Sequence, residues 1–217
     1  MSQKEKIQRQ ALEKTAEVKR IFYAAEQAFK NRKPATLLVT SAIQGEGKSL
    51  FAATLAVTAA QSGKYRVAAL DLNWYRPTLH RFFDVEKNHS SREIFDFELC
   101  DLVCPSGLDS LDILTAPSDD ADQHATSDLA LHKINRLIEQ AKSFYDLIVV
   151  DSASIFPTNS MIMDPVMLSG VADGVAMVVA IASTPRQMAR KAQKTMESVE
   201  ANILGIVANQ RTVRKNG

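Results

Sequence analysis

The chain has 217 residues, 46% of them hydrophobic, which suffices for one large α/β domain with a packed core. Its 26 Lys and Arg nearly balance 25 Asp and Glu, a formal charge of +1, so bulk electrostatics do not argue for nucleic acid as a partner. No stretch approaches the roughly 20 uninterrupted apolar residues of a membrane span, and the opening "MSQKEKIQRQ" has no apolar signal core, so the expected location is the cytoplasm.

Residues 1–33 read as an N-terminal unit. Val18, Ile21, Phe22, Ala25 and Phe29 fall at helical spacing, so an amphipathic helix is expected, stopped by Lys33-Pro34. This leader is basic: Lys4, Lys6, Arg9, Lys14, Lys19, Arg20, Lys30, Arg32 and Lys33 stand against Glu5, Glu13, Glu17 and Glu26. It is a candidate contact for an acidic partner, anionic lipid or a second copy, or simply a solvated helix face.

From residue 34 to 217 strands and helices alternate. "ATLLVTS" (35–41) is a buried strand, followed by a glycine loop and a helix through "SLFAATLAVTAAQSG" that ends at Gly63. "YRVAALDL" (65–72) and "LDILTA" (111–116) are further strands, with 84–110 and 117–125 read as polar connections. Residues 126–143 have helical period, and "YDLIVVDS" (145–152) and "DGVAMVVAIAS" (173–183) are strands. Thr184, with Gln187 three residues on, resembles a capping box opening a helix to about residue 200, and "ILGIVAN" (203–209) closes the sheet. Continuous apolar strands joined by helices predict a three-layer α/β fold, a parallel sheet with helices on both faces.

The chemistry gathers where such sheets bind ligands, at the carboxyl ends of the strands. In "TSAIQGEGKSL" the glycines Gly45 and Gly47 let the backbone turn its N–H groups inward, and the following helix N-terminus completes an anion hole. Lys48 would reach the β/γ-phosphates and the Ser49 hydroxyl would ligate Mg²⁺, with Glu46 and Leu50 flanking the cradle. The pattern usually begins with a glycine where this chain has Ala42. The reading is therefore a P-loop NTPase fold that takes a nucleoside polyphosphate with Mg²⁺. Asp151, closing "LIVVD", would hold the water shell of Mg²⁺; Asp71, closing "VAALD", is a candidate general base or second metal anchor. His80, His89, His124 and His132 show no ligand spacing, and Cys100 and Cys104 lack a second pair for zinc, so they read as buried or half-buried thiols.

"TSAIQGEGKS", "VAALDLNWYRPTLHRFF", "YDLIVVDSAS" and the stretch from "VADGVAMVVAIAS" to "ILGIVAN" resemble, in order and spacing, the bacterial tyrosine kinases, P-loop ATPases that regulate capsule and exopolysaccharide synthesis. The likeness runs from about residue 13 to 209. It implies Walker A roles for Gly45, Gly47, Lys48 and Ser49, a Walker A′ role for Asp71, Walker B for Asp151, and adenine contact for Asn209. It also matches Arg76-Pro77 to the family's Arg-Pro pair, and Glu17 and Arg20 to the start of a Glu-x-x-Arg-x-x-Arg self-association helix. A cytoplasmic tail of a membrane chain-length-regulator protein, a polysaccharide co-polymerase, would be the partner, recruiting the chain to the inner face of the membrane; the basic leader or the surface near Trp74 is the expected dock.

The departures bear on activity. Asn73 stands where the family has a second Walker A′ aspartate, Tyr23 replaces the last arginine of the helix motif, and "DSAS" lacks the proline that usually follows Walker B. The end "NQRTVRKNG" has no tyrosine cluster, so tail autophosphorylation is not expected; the tyrosines are Tyr23, Tyr65, Tyr75 and Tyr145. The expected function is thus ATP hydrolysis or tyrosine phosphoryl transfer, with a nucleotide-gated regulator that phosphorylates nothing as the alternative. The related Min- and ParA-type partition ATPases carry a signature lysine where this chain has Ile43, which argues against that reading.

Overall fold

The computed structural model describes residues 16–30, 32–119, 128–156, 163–181 and 183–209. Its strands are β1 (Ala35–Ser41), β2 (Val67–Asp71), β3 (Cys104–Leu108), β4 (Leu111–Leu114), β5 (Leu147–Ser154), β6 (Gly174–Ala180) and β7 (Ile203–Asn209). They form one sheet in the order β3-β4-β2-β5-β1-β6-β7. Every pairing is parallel except the β3–β4 hairpin at one edge. The helices are α1 (Ala16–Ala28), α2 (Lys48–Gln61), α3 (Leu79–Phe83), α4 (Ser91–Asp96), α5 (Leu99–Leu102), α6 (Asp128–Phe144), α7 (Pro165–Leu168) and α8 (Arg186–Glu197).

The central strands β1, β2 and β5 are buried at every residue. Alternate side chains feed two cores, as a sheet covered on both faces requires. Leu37, Val39 and Val149 pack with Phe51 and Leu55 of α2 and with Phe22 and Phe29 of the leader segment. Leu38, Leu70, Ile148 and Val150 pack with Ile134, Leu137 and Ile138 of α6 and with Ala192 and Met196 of α8. Helix α2 is alanine-rich, which lets it lie close over β1. Its buried Thr54 and Thr58 hydroxyls donate back to Leu50 O and Thr54 O, at 2.7 and 2.8 Å, so neither is left unpaired.

Several expectations are corrected. The stretch 84–110 is not a bare connection, because it contains α4, α5 and β3. Asp151 does not close its strand: β5 continues to Ser154, and the register against β1 shifts between Val39 and Ser41, opposite that stretch. The Thr184 capping box does not form. Helix α8 is preceded by Pro185 and has no side-chain cap. Cys100 is exposed rather than buried. Residues 1–15, His124, the start of the helix expected at 126 and the tail beyond Asn209 lie outside the described residues, as does the side chain of Glu17.

Candidate functional site

The loop after β1 takes the backbone path its glycines permit. Gly45 and Gly47 have φ of 83° and 91°, and Gly47 is the N-cap of α2. At Gly47 a side chain is excluded twice, by that φ and because the Asn209 amide occupies the place of a Cβ. Lys48 and Ser49 open α2 and are both buried. Burial pushes the Lys48 ammonium below its ordinary pKa, against the pull of the Asp151, Asp71 and Glu46 carboxylates. Leu50 follows, half-buried.

Asp71 and Asp151 are Cα partners in the β2–β5 ladder, and both are fully buried. Asp71 is tied down, its two oxygens accepting from Asn73 N (3.1 Å) and Leu79 N (3.0 Å). Burial, and then the neighbouring Asp151 charge, push its pKa well up. Asp151 differs in that neither carboxylate oxygen has a hydrogen-bond partner. Burial raises it to about 6, with the Lys48 charge working the other way and the Ser49 hydroxyl, near the carboxylate but outside hydrogen-bond geometry, adding a smaller opposing pull.

A buried acceptor without a donor is costly, and a cation or its bound water satisfies it. The donor set around Asp151 suits Mg²⁺, which takes few protein ligands and keeps phosphate oxygens and water for the rest. Among the described residues no cluster of three or more His, Cys, Asp or Glu could hold a metal unaided.

Three contacts at this site were not foreseen from sequence. Glu46, 1% exposed, is a knot: its Oε2 accepts from Ile43 N at 2.6 Å, while Oε1 accepts from Ala180 N at 3.1 Å and from the Thr184 hydroxyl. Asn209 Nδ2 donates to the Glu46 carbonyl at 2.8 Å, which places the last residue of β7 against the loop. With its amide oxygen turned toward the guanidinium, Gln44 of the loop accepts from Arg76 Nε (2.9 Å) and Nη1 (3.2 Å). The loop is therefore clamped from the turn after β2, from β6 and its exit, and from β7.

Asn73, in the place of the second Walker A′ aspartate, is buried and donates its amide to Arg76 O at 3.0 Å, closing the turn that carries Arg76. The Trp74 side chain itself is buried. It is 6% exposed, donates to Asp71 O at 3.0 Å and packs at a 47° tilt against Phe95 with ring centroids 5.4 Å apart. Tyr65 and Tyr145 are buried and donate to Glu26 and Asp112 at 2.8 and 2.9 Å, whereas Tyr23 and Tyr75 are exposed. No helix among the described residues is long and apolar enough to cross a membrane.

The family model described as ATPase MipZ matches residues 36–182, the span from β1 to the end of β6. Tyrosine-protein kinase YwqD of Bacillus subtilis (strain 168) is 29% identical over 196 residues, 88% of this chain and 78% of that one. Succinoglycan biosynthesis transport protein ExoP of Rhizobium meliloti (strain 1021) is 26% identical over 89% of this chain but only 24% of its own length. Among solved structures, the kinase domain of Escherichia coli tyrosine kinase ETK superposes with a TM-score of 0.78 at 21% identity, covering 92% of this chain and 76% of that chain.

Proposed function

From the premise that the chain belongs to the MipZ ATPase family, we propose that it is an ATP- and Mg²⁺-binding P-loop ATPase of the bacterial tyrosine kinase type that regulates exopolysaccharide or capsule synthesis and export. The observation that carries this is the meeting of a left-handed glycine loop, a buried lysine and a buried carboxylate with two unpaired oxygens. YwqD supports the kinase type, and ExoP supports the polysaccharide context.

In this reading the loop N–H groups and the α2 N-terminus hold the polyphosphate. Lys48 closes on the β/γ-phosphates from a pocket dry enough to strengthen its charge. Ser49 and Asp151 hold Mg²⁺, which when bound neutralises charge on the transferring phosphoryl group. Asp71, fixed by two backbone donors, orients the attacking hydroxyl or water and takes its proton. Asn209 keeps its amide oxygen free for the base while its nitrogen holds the loop.

The partner would be a separate membrane protein whose cytoplasmic segment docks beside the site and recruits the chain to the membrane. That ExoP contains a region like this chain within a much longer protein fits such an arrangement. Self-association remains a second use of the leader helix, and nucleic acid is not a partner in this reading.

Asn73 favours one second reading, a nucleotide-gated regulator that phosphorylates nothing, because its amide brings no charge to the metal side and is already engaged with Arg76 O. One experiment separates the two. The full chain is incubated with ATP and Mg²⁺, and both ADP release and phosphotyrosine are measured. Phosphotyrosine lost in Lys48→Ala selects the kinase; ADP alone selects the regulator; no uptake of ATP or ADP by folded protein overturns both.

A further inference from the structure

Helix α8 leaves the site directly from the loop that carries Thr184. Its inner face buries Ala192 and Met196 in the core, and its outer face exposes Arg186, Gln187, Arg190, Lys191 and Lys194. Arg186, Arg190 and Lys194 recur every four residues, one row along a helix.

This row has no acidic partner, whereas several cations elsewhere among the described residues do. Arg32 meets Asp173 at 2.8 Å, Lys133 meets Asp96 at 3.0 Å and Lys142 meets Glu139 at 2.7 Å. Among the described residues no ion pair engages Arg186, Arg190, Lys191 or Lys194. Lys191 lies over the Phe156 ring, 4.7 Å from its centroid, just past the end of β5. Gln187, Arg190, Lys191, Lys194, Thr195 and Ser198 line a shallow open groove of ≈ 410 Å³.

We propose that the outer face of α8 is a docking surface for a short acidic peptide segment of a protein partner. The row from Arg186 to Lys194 spans about 12 Å at the helical rise, the length of about four residues of extended chain. A lipid surface fits less well, because the apolar face of α8 is spent on the core and none is left to enter a bilayer. A nucleic acid duplex fits less well too. Glu197 and Glu200 sit exposed at the far end of the row, and the chain carries a net charge of only +1.

The surface stands whether or not the chain transfers phosphate. Only the partner's identity as the cytoplasmic segment of a membrane protein rests on the function proposed above.

The test uses the full chain and a fluorescein-labelled twelve-residue peptide of alternating glutamate and serine, followed by anisotropy at 50 and 200 mM salt. Vesicles with 30% phosphatidylglycerol and a 30-base-pair duplex serve as competing probes. The expected result is peptide binding that is stronger than to either competitor and weaker at high salt. It should fall at least tenfold in Arg190→Glu/Lys194→Glu, fall less in Arg190→Gln/Lys194→Gln, and stay unchanged in Lys64→Glu/Arg92→Glu, which makes the same charge change at two exposed sites elsewhere. Fluorescent ADP affinity, read in parallel, should stay within twofold in all variants. Absent peptide binding, binding indifferent to the α8 reversals, or tighter binding to vesicle or duplex overturns the proposal. Failure of the wild type to bind ADP would instead strike the proposed function and leave the peptide result readable.

Discussion

The carboxylate of Glu46, inside the phosphate loop, accepts a hydrogen bond from the hydroxyl of Thr184, 138 residues later at the entrance to α8. The same carboxylate receives Ile43 N and Ala180 N, so one buried side chain fixes the loop to the end of β6. Glu46→Ala leaves two backbone donors short of a partner, at about 1–3 kcal/mol each where water cannot replace it. The expected outcome is a melting temperature lower by roughly 5–10 °C, and ADP affinity weakened about tenfold because the anion hole loses its shape. Thr184→Val, which removes one donor and keeps the volume, should cost about 1 kcal/mol. Thermal melts and calorimetric ADP titration check both; an unaltered Glu46→Ala protein would show that the knot is incidental.

Gly47 and Gly63 both have positive φ, 91° and 68°, yet they should respond differently to alanine. A Cβ at Gly63 meets nothing within 4 Å, so Gly63→Ala bears only the backbone strain, about 1 kcal/mol. A Cβ at Gly47 collides with the Asn209 amide as well, and the loop or β7 must move. Gly47→Ala should therefore abolish measurable ADP binding while Gly63→Ala leaves it within twofold. Adding Asn209→Ala to Gly47→Ala should recover stability but not ADP affinity, because the φ is still wrong for alanine. Equal ADP affinity in the two glycine variants would contradict this account.

The central sheet was legible because β1, β2 and β5 are continuous apolar runs bounded by turn residues, a signal that depends on local composition alone. The edge was not. β3 reads "CPSGL", and its Pro105 and Gly107 are tolerated only because an edge strand needs no second ladder. The capping motifs show the same divide. "SSRE" forms a true box at α4, with Ser90 accepting from Glu93 N and Glu93 from Ser90 N, and the signal was present to be read. Thr184 carries an equal signal, but its hydroxyl goes to Glu46, a contact no local pattern announces. Likewise the loop and both aspartates were visible as motifs. The clamps from Arg76, Asn209 and Thr184 were not, since each joins elements far apart in the chain.

The four tyrosines divide into two pairs, which bears on any self-phosphorylation. Tyr65 and Tyr145 are buried, and burial together with the Glu26 and Asp112 carboxylates that accept their hydrogen bonds raises both phenols. Phosphate at either would displace a core contact and set its charge beside a carboxylate. Tyr23 and Tyr75, 61% and 45% exposed, carry no such obstacle. Mass spectrometry after incubation with ATP and Mg²⁺ should therefore place phosphotyrosine, if any forms on this chain, at Tyr23 or Tyr75. Stoichiometric phosphate on Tyr65 or Tyr145 of folded protein would require a different site geometry.

Asp151 gives the stability of the nucleotide-free chain a definite pH dependence. Its folded pKa, about 6, lies above the unfolded carboxylate value near 3.8, so the native state holds the proton more tightly than the unfolded chain does. The advantage of the protonated form is fully present below about pH 4 and is lost as pH rises through about 6. Asp71, shifted in the same direction, adds to the trend without reversing it. Asp151→Asn, which cannot ionise, should match the wild type at low pH and become progressively more stable than it between pH 4 and 7. Urea titrations of both proteins at half-unit pH steps measure the difference. Adding Mg²⁺ and ADP should invert it above pH 6, since the ionised carboxylate then has its cation and the amide does not. A difference that stays flat with pH would mean that Asp151 is already ionised at little cost, and the case for a cation contact at its two oxygens would fail.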